Sequence, residues 1–126
     1  MSLKDISVVK EVLNQKMENL SHTILADIYE LEAENAAMNQ QMYDFDYYFT
    51  EAISLRENQI GIYNIANAIC YCNYAKYLII FKDIPKAEQC LEKAVEIFSH
   101  FSDDHPIKWL LMYCYAILSS AKNTSQ

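Results

Sequence analysis

A single glycine among 126 residues leaves no room for motifs that need several permissive backbones. Phosphate-cradling loops, dinucleotide fingerprints and the strand-to-helix nucleophile elbow each use two or more glycines at fixed spacing. Three large enzyme classes are thereby excluded. With only two prolines and no Asn-Gly or Asp-Gly step, the chain also lacks the turn punctuation that an all-β fold needs about every eight to twelve residues. Positive charge is scarce too: 10 bases stand against 17 acids, for a formal net charge of -7. Nucleic-acid binding draws on clustered Lys and Arg, so that partner class is not expected. The start, Met1 to Lys10, mixes acids and bases instead of setting a basic segment before an apolar run, and the expected location is cytoplasmic. Four cysteines kept reduced there read as small hydrophobes. What remains is one all-α domain over residues 1–126.

What is present is helical periodicity. Ile6, Val9, Leu13, Met17, Leu20, Ile24, Ile28 and Leu31 follow one another by steps of three or four, the spacing of one helix face. Asn19, Ser21 and Thr23 supply cap-forming side chains midway, so two helices with a tight turn are expected, one over about 4–17. A long single helix, even a coiled-coil strand, is the alternative. After a polar stretch from Glu34 to Gln41, a helix starting at Asp44 or Asp46 carries Phe45, Phe49, Ala52 and Ile53. From Ile60 to Phe81 the only charge is Lys76. A membrane span needs about 20 apolar residues, but Asn64, Asn67, Asn73 and four tyrosines favour a buried central helix. Asp83 with Pro85, and the run Ser102 to Pro106, each read as an aspartate cap with proline in the first helical turn. The expected helices run from Pro85 to about His100 and from Ile107 to about Lys122, followed by a fraying tail at 123–126.

Slid by 42 residues, Phe49, Ala52, Ile53 and Leu55 fall on Leu91, Ala94, Val95 and Ile97. Slid by 41, Tyr74-Ala75 falls on Tyr115-Ala116. A recurring helix pair at such a period marks an α-solenoid. Tyr71, Tyr74-Ala75, Leu78, Ala87, Leu91 and Ala94 stand at signature spacings, and on them the chain resembles the tetratricopeptide repeat family. Residues 86–106 are similar to the 42-residue variety of kinesin light chains. The resemblance implies antiparallel helix pairs stacked as a short right-handed solenoid of five or six helices. Its units are a divergent first one over 4–17 and 19–57, a well-matching repeat over 60–100 and a terminal helix over 106–122. Glu32 and Phe45 depart from the pattern, standing where a large apolar residue and an alanine are usual.

The resemblance further implies a concave groove that binds a partner peptide or helix. Its positions here are Asp27, Glu30 and Glu34, then Ile69, Cys72, Asn73, Lys76 and Ile79, then Leu110, Tyr113, Cys114 and Ile117. Asp27, Glu30 and Glu34 fall on one stripe whose like charges call for an offset: a basic ligand, Lys76 across the groove, or plain solvation. An adaptor or small acidic chaperone similar to those of type III secretion is one implied role, and a homodimer built through open solenoid ends or a coiled coil over 4–31 is the rival. No cofactor and no metal site is expected. Cys70 and Cys72 point apart on a helix, and His22, His100 and His105 lack partners at ligand spacing. Without a pocket to orient a substrate around the acids, enzyme activity is not expected. Tyr74 and Tyr77 read as core, and Trp109, if exposed, as a contact anchor.

Overall fold

The steps of three and four from Ile6 to Leu31 form one unbroken helix, α1 (Leu3–Met38), in the computed structural model, which describes residues 3–124. The expected break at 19–23 does not occur. Thr23 turns its hydroxyl back onto the Asn19 carbonyl at 3.0 Å, a bond made inside a helix instead of a cap. Four more helices follow: α2 (Met42–Gln59), α3 (Ile65–Ile80), α4 (Ile84–Phe98) and α5 (Ile107–Thr124). The fold is all-α with five helices among the described residues. Residues 4–17 are thus the start of α1, and of the tail expected to fray, Asn123 and Thr124 continue α5 while Ser125 and Gln126 lie outside the described residues. No described helix is long and apolar enough to cross a membrane.

The helix boundaries have local causes. The α3 helix begins at Ile65, later than Ile60, because Gly61 sits at φ 137° in the connection and Asn64 caps the helix by accepting from the Ala66 amide at 2.8 Å. Asp83 is the N-cap residue of α4 with Pro85 in its first turn, but its side chain makes no capping bond. Before α5 the capping acceptor is the ring Nδ1 of His105, which takes the Ile107 amide at 3.2 Å, in place of the expected aspartate. Likewise α2 starts at Met42 without a side-chain cap, ahead of both candidate aspartates.

The 42-residue period is visible in the backbone. At the α1–α2 turn Gln40 takes φ 60° while its amide donates to Ala37 O, and the next amide, Gln41, donates to Ala36 O. At the α3–α4 turn Lys82 takes φ 66° and donates to Ile79 O, and Asp83 donates to Leu78 O. These are the paired bonds of a left-handed helix C-terminus, repeated at the same offset. Each turn folds a helix back on its predecessor: α1 packs on α2, α3 packs on α4, α2 meets α3, and α5 lies on α3 and α4.

Alanines let the helices approach. Ala33 and Ala52 of the first hairpin and Ala75, Ala87 and Ala94 of the second are fully buried. Around them Phe45 meets Phe49, Tyr74, Tyr77 and Phe81 edge-on, and Phe49 stacks on Tyr74 at 4.8 Å. Edge and offset contacts of this kind add to what burial alone contributes. Tyr74 is thus core, as its spacing implies, and Tyr77 packs partly buried against it.

Candidate functional site

Three positions 42 residues apart, Glu30, Cys72 and Cys114, lie at the bonds that link α1, α3 and α5. Asn73 Nδ2 donates to Glu30 Oε2 at 3.2 Å, and the Cys114 thiol donates to the Cys72 carbonyl at 3.6 Å. A side-chain bond thus links α1 to α3 and a thiol links α3 to α5, and these three helices carry the candidate groove residues.

The acidic stripe already has its offset. Arg56, from the last turn of α2 and only 3 % exposed, reaches Asp27 Oδ1 and Glu30 Oε1 with its two terminal nitrogens, each at 2.7 Å. A planar guanidinium with two forked donors suits such a pair of carboxylates. Of the two acids Glu30 is the more enclosed, and Asn73 donates to its second oxygen, so each oxygen accepts a bond. The expected offsets, a basic ligand or Lys76, are superseded for Asp27 and Glu30 by this internal cation. Glu34 stands apart from it. Burial, then the neighbouring charge of Glu30, pushes its carboxyl above the ordinary range, against a smaller downward pull from Lys76. Lys76 itself lies with its ammonium 4.9 Å from the centre of the Tyr77 ring.

The other groove positions divide. Cys72, Cys114 and Ile79 are buried, because α5 and the α3–α4 contact cover them, so they support the face without lining it. Ile69, Asn73, Lys76, Leu110 and Ile117 are half-buried, and Tyr113 is 55 % exposed. All four cysteines are free and buried, in keeping with their reading as small hydrophobes. Burial pushes the Cys90 thiol up to about 11 and raises that of Cys70 further, with Glu30 adding to it and Arg56 opposing. Such thiols are poor nucleophiles. No group of three His, Cys, Asp or Glu side chains among the described residues could hold a metal ion.

Two carboxylates that sequence reasoning passed over join the hairpins. Asp46 accepts from the Tyr74 hydroxyl and, at 3.1 Å, from Lys86. Glu57 accepts from the Tyr71 hydroxyl at 2.7 Å and from Asn67 Nδ2 at 3.4 Å. Burial and these acceptors raise both tyrosines above the ordinary phenol range. The available signal was the placement of Asp46 and Glu57 on a helix facing a tyrosine-rich one, which sequence spacing within either helix does not reveal.

Beyond α5 the surface is open. The 41-residue match of Tyr115-Ala116 to Tyr74-Ala75 has no counterpart in burial: Tyr74 and Ala75 are enclosed, whereas Tyr115 and Ala116 are exposed. Among the described residues no helix follows α5 to cover them. Trp109 at its start is 71 % exposed. A shallow cleft of about 260 Å³ between α4 and α5 is lined by Glu88, Glu92, Tyr115, Leu118, Ser119 and Lys122, and the Lys122 to Glu88 ion pair at 2.9 Å spans it. Compared with family models, curated proteins and solved structures, the chain matches none.

Proposed function

We propose that the chain is a non-catalytic protein-binding module of the cytoplasm, a short tetratricopeptide-like stack that receives a partner peptide or helix on the face shared by α1, α3 and α5. The observation that supports this reading is the contact of equivalent positions at 42-residue intervals, Glu30 with the α3 turn that carries Cys72 and Cys72 with Cys114. A stack of that kind aligns the first helices of its units into one continuous face. On that face the surface is mixed, as peptide-binding surfaces are. Ile69, Leu110 and Ile117 give a half-buried apolar floor, Tyr113 an exposed aromatic, and Lys76 and Asn73 polar contacts. With Asp27 and Glu30 sharing the one positive charge of Arg56, the ligand is selected by apolar fit to Tyr113 and by Lys76 more than by acid-to-base attraction.

A peptide-array screen with the whole chain is the test. Tyr113→Ala and Lys76→Glu are each expected to weaken a selected peptide by about 10-fold, the scale of one contact residue of moderate weight. Unchanged affinity in both variants removes the ligand from this face.

A further inference from the structure

The part of α1 from Lys4 to Ser21 is exposed at every position. At 1.5 Å per residue this is roughly 27 Å of helix exposed on all sides. Such a segment is marginal alone in water, and the β-branched Ile6, Val8, Val9 and Val12 lower its helix propensity further. Its apolar stripe does not end where the body begins. Ala33 and Ala37, which face α2, stand nine residues from Ile24 and Ile28. Nine residues are two and a half turns, so the stripe runs on along the opposite side of α1 through Leu31. Its eight members keep between 39 and 66 % of their surface exposed.

From these observations we infer that α1 is the interface of a homodimer in which two copies pair antiparallel along the stripe from Ile6 to Leu31. Three features select a second copy of this chain as the occupant. The spacing is self-complementary: the steps are three, four, four, three, four, four, three, which read the same in either direction. A two-fold rotation centred between Glu18 and Asn19 therefore sets Ile6 against Leu31, Val9 against Ile28, Leu13 against Ile24 and Met17 against Leu20. This is the isologous contact of a two-fold dimer, and the eleven-residue period keeps the stripe nearly parallel to the helix axis. The charge distribution agrees. Residues 4–16 carry three lysines with Asp5 and Glu11, and residues 27–34 carry four acids with no base. Parallel pairing lays acidic stretch on acidic stretch, whereas antiparallel pairing sets Glu32, which Arg56 does not reach, beside the other copy's lysine-bearing turns. Lys10 and Glu32 then share the edge along which each helix meets its copy. The third feature is size. The exposed surface of the eight residues is on the order of 800 Å² per copy, the amount each partner gives to an interface of standard size.

Sedimentation of the whole chain across a micromolar range is expected to give twice the 14.7 kDa chain mass. The double variant Leu13→Lys, Leu20→Lys is expected to raise the dissociation constant at least about 100-fold, with the thermal transition of α2 to α5 retained. Orientation is read by disulfide trapping, which the four buried native thiols do not disturb. An equimolar mixture of V9C and I28C chains is expected to give the mixed disulfide, and V9C alone none. A monomeric wild-type chain, a dimer indifferent to the two lysines, or a V9C homodisulfide overturns the inference. So does a monomer whose residues 4–31 bind anionic vesicles, which assigns the stripe to a lipid surface. The groove reading has its own readout, the affinity of a selected peptide for Tyr113→Ala and Lys76→Glu, so failure of one reading is told apart from failure of the other.

Discussion

At the first hairpin turn the buried residues are Ala36, Ala37 and Phe45, and 42 residues further on they are Leu78, Ile79 and Ala87. The bulk has changed sides while the turn has kept its hydrogen bonds. Phe45 looks like a departure from the repeat pattern when its helix is read alone. Its ring packs across the hairpins, edge-on against Tyr74 and Tyr77 of α3 and Phe81 at its end, where an alanine would leave a void. The hairpins differ in a second way. The first contains a buried cation, Arg56, while the position 42 residues on is Phe98. The first hairpin is thus tied by a buried ion pair as well as by packing, and the second by packing with the Lys86 ammonium 5.2 Å from the centre of the Tyr74 ring.

Removing that bulk carries the largest expected effect. Phe45→Ala removes a fully buried ring with four aromatic neighbours, and urea unfolding should show a loss of about 4 kcal/mol. A loss under about 2 kcal/mol means that this ring cluster does not join the hairpins. Next comes the buried ion pair that the second hairpin lacks. Arg56→Met leaves Glu30 enclosed with one donor gone and should cost about 2 to 3 kcal/mol, toward the low side for a broken buried pair because Asp27 is largely in solvent. A loss under about 1 kcal/mol reduces the pair to a surface ornament of the helix. Forcing the first hairpin's residue into the second, Ala87→Phe, should cost about 1 to 3 kcal/mol by overpacking against Leu78.

The smallest effect sharpens the comparison within the acidic stripe itself. The Glu34 carboxyl is held above its ordinary range by burial first and Glu30 second, so the folded state binds its proton more tightly than the unfolded chain does. Its contribution to stability is therefore present in acid, below the ordinary glutamate range, and is lost as pH rises through the raised value. Glu34→Gln should raise the melting temperature slightly at neutral pH, by under about 0.5 kcal/mol once solvent screening is counted. In acid the gain should vanish. A loss at neutral pH shows that Lys76, not burial, governs this carboxylate.

How much of this was legible in the sequence follows the range of each interaction. The 42-residue period, the small residues at Ala75 and Ala87 and the proline-opened helix at Pro85 are local or periodic, and the fold class came from them. Asn19, Ser21 and Thr23 misled because a cap-forming side chain is equally at ease bonding the carbonyl four residues back. The Arg56 fork was illegible because Arg56 lies 26 and 29 residues from its acids, and nothing in α2 alone says which way its guanidinium turns. Cys72 and Ile79 fell out of the groove because their exposure depends on where α3 meets its neighbouring helices. Helix-face arithmetic places a side chain on a side of its own helix and leaves open what comes to rest there.

Glu30, Asp46 and Glu57 all belong to the first hairpin and all take donors from α3 or α4. If either hairpin opens alone, three carboxylates lose partners at once. In amide hydrogen exchange the two hairpins should accordingly protect and release as one cooperative block. The α5 helix, joined through a thiol, apolar contacts and the exposed Lys122 to Glu88 pair, is free to open first and exchange ahead of that block.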